Sequence, residues 1–549
     1  MNLKLVYLQE ERDYEVETLR NCIEAQLKSE SNRNVENDPN PAESGGDGFD
    51  VSKLDEDFFM RLKKSMDQLP KEGRETTVVE TGRGDSGPTF KFKFIGLYDY
   101  VDRPDDGDAG TETNLTFFFM PKFVAMPEFE NEKTDWIVPR DTIRDTVLQA
   151  IDWRNRGLSK SDDQIEETEE RRESLLERAV RLLRDYLENG IYTVQRWELE
   201  HNGQGEIDWE TTIDKYQPVF LKKGEKSRPF YMDYDTELAC SDEDRYITRL
   251  HKCLITTWGR KLEELGLSSV LRVNVPLLSE EELDRFGEFD YQIAQIDKEL
   301  RLQFVTKSRH TLSLMKDLIR ETAENKAANR QSLSFGMNGA AQLWEEAIKD
   351  VFGDQMEKKP IQFPLNCKTK GNTKLKDFIE PPKWTEAGVQ YDEDDDPASG
   401  SRLRPDFIAI DKNSKRLVIL DAKYYLPKFD SLKEKKVVRD CPGVGDIDKQ
   451  FLYQLSFSEL CRDNNLQVLN AFVFPGDSAG STERDLKACK FATVTEELFS
   501  WILDNLCKVK VPTNYLSKEI VAFKVDGMAL FKAYAEGRTY PLELFLKAQ

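Results

Sequence analysis

At 549 residues, with 39% hydrophobic and 33% charged side chains, the chain is long enough for about two to four domains and too apolar for a disordered tract. Its formal charge of −23 excludes a protein that wraps nucleic acid over its whole surface. The charge is uneven: residues 331–549 hold 31 Lys and Arg against 33 Asp and Glu, so nearly all of the excess precedes them. Eight cysteines without a CxxC pair and only three histidines exclude structural zinc and a disulfide framework. Any metal is therefore a hard ion held by carboxylates. No run of 18 apolar residues occurs and the first residues lack a signal-peptide layout, so a cytoplasmic protein without membrane contact is expected.

The first 138 residues read as a β-containing region. Within it, residues 30–56 are rich in Asn, Asp, Gly, Ser and Pro and predict a mobile loop. Two strands are predicted at 89–101 and 114–124, joined by the acidic stretch DRPDDGDAGTET. That stretch lacks the Asx order and distant Glu of a calcium loop, which leaves an ordinary solvated connection. Residues 139–330 predict a mainly helical region. Its helices fall at 142–153, at 162–189 with LLERAVRLLRDYL as the buried stripe, at 245–268 and at 291–330. His251 lies on an apolar helix face and is expected as a core histidine.

From 331 the character changes. A helix at 340–353 leads through a Pro- and Lys-rich stretch and the acidic run 392–396 to two strands, 404–410 and 416–425, joined by DKNSK. A helix at 445–463, an apolar strand at 468–475 and a helix at 494–507 follow. This order predicts a mixed sheet flanked by helices. The fold class is thus α+β to α/β and multidomain.

The chemistry concentrates on that sheet. Asp421 and Lys423 share a strand face, because residues i and i+2 point the same way. A tight hairpin can bring Asp406 beside them. Two carboxylates can hold a divalent cation, and a lysine nearby can activate a water or steady the charge of a phosphorane. Phosphodiester hydrolysis needs that set. Downstream, Asp446, Gln450 and Gln454 fall on one helix face at i, i+4 and i+8. Tyr424 and Tyr425 follow the lysine, one expected to pack and the other to meet solvent or substrate. Arg402, Arg404 and the lysines at 433–436 are candidate walls of a basic groove, with a solvated loop as the alternative for the lysines.

The pattern PD-x14-DxK between two apolar strands resembles the signature of the PD-(D/E)xK nuclease superfamily. That resemblance implies a further acid from an upstream helix, for which Glu345 stands in the right place, with neighbouring Glu346 as an exposed helix residue. It also implies that Gln450 and Gln454 line the cleft, with a helix-surface position as the alternative. The stretches FGMNGAAQLWEEAIKDVFG, FIEPPKWT, LRPDFIAI, LVILDAKYY and PGVGDIDKQFLYQLSF, with FFFMPKFV, NGQGEIDWETTID and DRYITRLHKCLI upstream, resemble the nuclease subunit of LlaJI-type restriction systems, which are McrC-like. The acidic run before Arg402 looks like an insertion.

That resemblance implies a Mg2+-dependent DNA endonuclease, with Mn2+ as a substitute, whose nuclease domain spans 331–549. Glu345, Asp406, Asp421 and Lys423 would be catalytic, the three acids holding the metal, and Arg404, Tyr424, Gln450 and Gln454 would face DNA. It also implies an McrB-like AAA+ GTPase as partner. The chain has no GxxxxGK[ST], since GGDG, GQGE and GVGD lack the lysine that cradles phosphates. Any nucleotide motor would be another chain. The alternative of another class is a non-catalytic scaffold or GTPase activator that uses the fold structurally.

Overall fold

The computed structural model describes residues 5–37, 53–69, 76–84, 87–102, 113–127, 136, 138–162, 173–223, 226–363, 365, 370–379, 383–386, 389–392, 403–432, 435–476, 486–508 and 515–548. The chain divides into two compact units, one of residues 173–333 and a larger one that joins 4–172 to 334–549.

The larger unit begins with β1 (Leu5–Gln9), β2 (Asp13–Glu15), α1 (Val16–Asn37) and α2 (Glu56–Met66). β3 (Val78–Gly84), β4 (Gly87–Phe92), β5 (Phe94–Asp102), β6 (Thr113–Met120) and α3 (Arg140–Asp162) follow. Strands β2, β4 and β3 form one sheet, and β1 runs parallel to β6, which pairs antiparallel with β5. Their common core is aromatic, with Phe58, Phe59, Phe90, Phe92, Phe117 and Phe119 all buried. The predicted strand at 89–101 is thus two strands. The break comes at Lys93, whose amide leaves the ladder to donate to Thr77 O at 2.8 Å. The loop predicted at 30–56 is corrected at both ends. Residues 30–37 continue α1, which meets no proline or glycine before Pro39, and residue 56 already opens α2. Residues 38–52 lie outside the described residues, as do 103–112 of the acidic connection and 393–396 of the acidic run.

The smaller unit packs α4 (Leu175–Asn189) against later helices, and its own middle is not helical. After α4 come β7 (Gln195–His201), β8 (Glu206–Ile207), α5 (Trp209–Lys215), the hairpin β9 (Val219–Lys223) and β10 (Lys226–Phe230), and β11 (Asp235–Ser241). β7, β11 and β8 form a three-stranded sheet that the helical expectation for 139–330 lacked. Then follow α6 (Tyr246–Glu264), α7 (Leu267–Val270), α8 (Phe289–Leu302) and α9 (Thr306–Ala327). Helix α4 starts on a capping box between Ser174 and Glu177. Its apolar stripe, Leu176, Val180 and Leu183, is fully or almost fully buried, as the sequence predicts.

β12 (Leu333–Asn338) returns to the larger unit beside β5, completing the order β1-β6-β5-β12. Glycines make that approach possible, because a Cβ on Gly96 would lie 2.4 Å from Phe335 O. Helix α10 (Ala341–Phe352) follows, then the hairpin β13 (Lys383–Glu386) and β14 (Val389–Asp392). Next are β15 (Phe407–Asp411), β16 (Arg416–Ala422), a second hairpin of β17 (Lys428–Leu432) and β18 (Lys435–Arg439), α11 (Val444–Ser456) and α12 (Ser458–Asn464). β19 (Gln467–Gly476), β20 (Ala488–Thr495), α13 (Glu497–Lys508), β21 (Glu519–Asp526), α14 (Gly527–Ala535) and α15 (Glu543–Lys547) end the chain.

The C-terminal sheet is mixed, in the order β15-β16-β19-β21-β20. β16, β19 and β21 run parallel, while β15 and β20 are antiparallel edges. Both faces of the central strands are buried, which is why VLNAFVF and LVIL read as unbroken apolar runs. One face meets Phe451 and Phe457 near α11; α10 and α14 pack together and each touches a strand of the sheet. Among the described residues, no helix is long and apolar enough to cross a membrane.

His251 is fully buried, as expected, and accepts the Tyr192 amide on Nδ1 at 3.1 Å. Its Nε2 has no hydrogen-bond partner among the described residues. Burial lowers its pKa to about 4, against a weaker pull from Asp185. The unfolded chain therefore takes up this proton near pH 6.5 while the native one refuses it until about 4. Stability held at pH 7.5 is lost as pH falls through that window. Denaturant titrations of wild type and His251→Gln at pH 7.5 and pH 5 should show a smaller pH penalty in the variant, which keeps an acceptor for Tyr192 without a titratable ring.

Candidate active site

Strand β16 carries Asp421 to the C-terminal end of the central sheet, where a parallel strand end commonly opens toward ligand. The antiparallel hairpin to β15 returns the chain so that Asp406 precedes the strand opposite. Its Oδ2 accepts the Ala422 amide at 2.8 Å, which fixes this carboxylate beside the strand end. Asp421, 5% exposed, stands beside the Asp406 carboxyl across the β15–β16 pair. Burial first, then the bond to Asp406 and that residue's charge, push the Asp421 carboxyl up to about 8, with Lys423 opposing.

Lys423 completes the group. Its backbone amide donates to Val473 O at 2.9 Å, just past the end of β16. Its Nζ lies 3.2 Å from Asp421 Oδ1 and 3.3 Å from Asp446 Oδ1. Asp446 stands in the first turn of α11, where the helix N-terminus favours a carboxylate. The spacing argument put Asp446 on one helix face with Gln450 but gave it no role; here it is the second anchor of the lysine. Tyr453 is a further neighbour that sequence reasoning missed. Its hydroxyl donates to Arg404 O at 3.0 Å, and burial, aided by Asp421, Asp406 and Asp446, keeps the phenol protonated.

Glu345 projects from α10 and is half-buried. Burial and then the charge of Asp406 raise its pKa to about 7, against Lys349 and Lys423. Glu346 is not the free surface residue expected. Arg154, itself 6% exposed, reaches both of its carboxylate oxygens from α3 at 3.0 Å. One helix thus assigns adjacent glutamates to opposite tasks, since neighbours on a helix point about 100° apart.

Three DNA-facing expectations are corrected by burial. Gln450 is fully buried and its amide donates to Ala471 O at 3.2 Å and, more weakly, to Ile419 O. Gln454 is also fully buried and clasps Ser517, accepting its amide at 2.8 Å and donating to its carbonyl at 2.9 Å. Helix α11 turns that face into the sheet, because its flanking Phe451 and Tyr453 must be buried. Tyr424 is buried too and donates to Glu10 Oε2 at 2.7 Å. Tyr425 is the half-buried one, packed against the core. Arg404 is exposed, as a groove wall requires, and Lys435 and Lys436 are exposed on the β17–β18 hairpin. Arg402 and Lys433 lie outside the described residues.

Among the described residues, no three His, Cys, Asp or Glu side chains are grouped closely enough to hold a metal by themselves. The donor set still suits a hard divalent ion. Asp406 and Asp421 stand side by side, Glu345 feels the charge of Asp406, and all three offer oxygen ligands that repel one another without a cation.

The family model described as LlaJI restriction endonuclease matches residues 111–495, more than half of the chain. The chain belongs to the LlaJI restriction endonuclease family. It is also 28% identical, over 335 residues, to the type II restriction enzyme BsuMI component YdjA of Bacillus subtilis (strain 168). That alignment covers 58% of this chain and 63% of the relative, so the chain spans less than two thirds of the relative's length. The matched range contains Glu345, Asp406, Asp421, Lys423 and Asp446.

A carboxyl whose pKa rises to about 8 on folding subtracts stability as pH climbs from its unfolded value toward 8. Asp421→Asn should therefore melt higher than wild type in EDTA at pH 8, with the gap closing near pH 4. Glu346→Gln should melt lower, by the equivalent of about 1–2 kcal/mol, because Arg154 keeps its charge and loses its partner. Thermal melts of both variants against wild type check the pair.

Proposed function

We propose that this chain is the nuclease-bearing component of a multi-subunit restriction system and hydrolyses DNA phosphodiester bonds at the Asp406–Asp421–Lys423 cluster. The observation that carries the reading is Lys423 Nζ, held between Asp421 and Asp446, with Asp406 fixed beside the same strand end by the Ala422 amide. The family match and a mixed sheet flanked by helices support a PD-(D/E)xK arrangement for residues 331–549. The other two regions of that division would be 1–138, as a partner-facing segment, and 139–330.

Asp406 and Asp421, with Glu345, would hold Mg2+ or Mn2+. The ion would supply Lewis acidity toward the scissile phosphate and its attacking water. Lys423 places a fixed positive charge where the phosphoryl oxygens gain negative charge, and Asp446 keeps its Nζ from folding back wholly onto Asp421. Partial burial of the ammonium strengthens its pull, since less water screens it. Exposed Arg404 would meet the DNA backbone.

The relative's printed description as a component supports an assembly of several chains, and an McrB-like AAA+ GTPase is the partner we propose. The net charge fits this division. At −23 the polypeptide works against the counterion release that drives non-specific DNA binding, so a motor that grips DNA would bring it to the cleft.

Lys423→Ala should abolish cleavage of plasmid or phage DNA by the assembled system while the chain stays folded and still binds its partner. Asp406→Asn and Asp421→Asn should also abolish cleavage and remove the Mn2+-induced rise in melting temperature. Wild-type cutting by Lys423→Ala would move the chemistry to another site. Purified alone in Mg2+, the chain should cut little, and mutation of the partner's phosphate-binding lysine should silence it. Efficient cutting by the isolated chain without nucleotide would leave a self-sufficient endonuclease.

A further inference from the structure

Glu10 lies at the end of β1, more than 300 residues before the catalytic strand and outside the range matched by the family model. It is 1% exposed. One carboxylate oxygen, Oε1, accepts the Ala340 amide at 2.8 Å, and the other, Oε2, accepts the Tyr424 hydroxyl at 2.7 Å. Ala340 is the N-terminal cap of α10, the helix of Glu345, and Tyr424 is the residue after Lys423. We infer that Glu10 is a positioning residue for the nuclease site, a buried clamp that sets the helix bearing Glu345 against the strand end bearing Lys423. This inference rests on the nuclease reading of that cluster.

The surroundings are built to hold the clamp. Gly339 precedes the cap with a φ of +69°, a conformation that favours glycine, and its amide donates to Lys93 O at 2.7 Å. The Glu10 amide itself donates to Met120 O at 2.9 Å, so the carboxylate hangs from the β1–β6 sheet rather than from a loop. Lys122 donates its amide to the Tyr424 hydroxyl at 3.2 Å and stacks its ammonium over the ring, 4.6 Å from the centroid. Its Nζ also pairs with Glu11.

A second tie joins the same two elements. Val473 O accepts both the Lys423 amide and Trp344 Nε1, the latter at 3.1 Å. Lys423 and α10 are therefore bound together twice, once through a β19 carbonyl and once through Glu10. Removing one tie leaves the elements packed but free to shift. A metal-binding geometry tolerates little of that, and loss of such supporting bonds commonly costs about ten- to hundredfold in metal affinity or activity.

The test uses the full chain assembled with the other components of its system, on plasmid DNA. Glu10→Gln keeps shape but turns one of the two accepting oxygens into an N–H donor, so it cannot accept the Ala340 amide and the Tyr424 hydroxyl on opposite atoms. Tyr424→Phe removes the other half of the contact. Each should lower kcat by about tenfold or more, with KM for DNA within about twofold of wild type. The double variant should be no worse than the weaker single one, because both remove one unit. The Mn2+-induced rise in melting temperature should shrink in both, and Asp13→Asn, which breaks only the exposed pair with Lys91, should match wild type. Wild-type kcat and a full Mn2+ shift in Glu10→Gln would overturn the inference. So would two defects that simply add, or a lower melting temperature with kcat unchanged well below it. Asp421→Asn is run in parallel: if it cuts like wild type, the nuclease reading of the site fails, whatever Glu10→Gln does.

Discussion

Two carboxyl groups set side by side at the end of a buried strand are an unfavourable arrangement, and much of the C-terminal architecture holds them there. Asp421 cannot relax away from Asp406, because β16 is locked between β15 and β19. Asp406 cannot turn outward while its Oδ2 holds the Ala422 amide. Burial removes the water that would screen them, so their repulsion has to be met by a proton or by a cation. Lys423 meets part of it but is itself shared with Asp446. A fold that keeps such a pair forgoes stability in favour of a site that attracts positive charge.

Holding the pair requires rigidity on every side, and the sheet provides it without specialised side chains. The carbonyl of Val473 serves three elements at once: it belongs to β19, it receives the strand end at Lys423 and it anchors α10 through Trp344. Gln450 does similar work from α11. It spends its amide on two sheet carbonyls, and its backbone carbonyl takes the Asn470 side chain at 3.0 Å. Buried polar residues of this kind fix register where apolar packing alone would allow sliding. Their place near the site explains why they look functional in the sequence while none of them reaches solvent.

Elements defined by continuous local pattern were legible. The stripe of α4, the apolar runs of β16 and β19, and the shared face of Asp421 and Lys423 follow from period within a few residues, and Asp406 joins them through a hairpin. Missed features depend on distant partners. Nothing near Gln450 distinguishes a helix face that meets a cleft from one that meets a sheet; the bulk of Phe451 and Tyr453 decides it. The strands at 488–495 and 519–526 were unread because each alternates weakly and gains its identity from pairing with the other. The sheet inside 195–241 was hidden by charge and by exposed apolar residues such as Trp197 and Leu199, which blur the period-two signal.

Adjacent Glu345 and Glu346 carry the argument furthest. By composition they are the same residue, and on a surface helix either would be a solvated acid. Glu346 is drawn to one side by Arg154, a guanidinium too buried to go without a counter-charge. The rotation of α10 is fixed by its buried stripe of Leu343, Trp344, Ala347 and Ile348. The Arg154 pair holds Glu346 on its own side of the helix, while Glu345 feels the charges of Asp406 and Lys423. Adjacent glutamates thus serve different ends, one beside the carboxyl cluster and one in a bond that belongs to folding. Helix α3, which supplies Arg154, belongs to the compact unit that holds the site although some 190 residues separate it from Glu346.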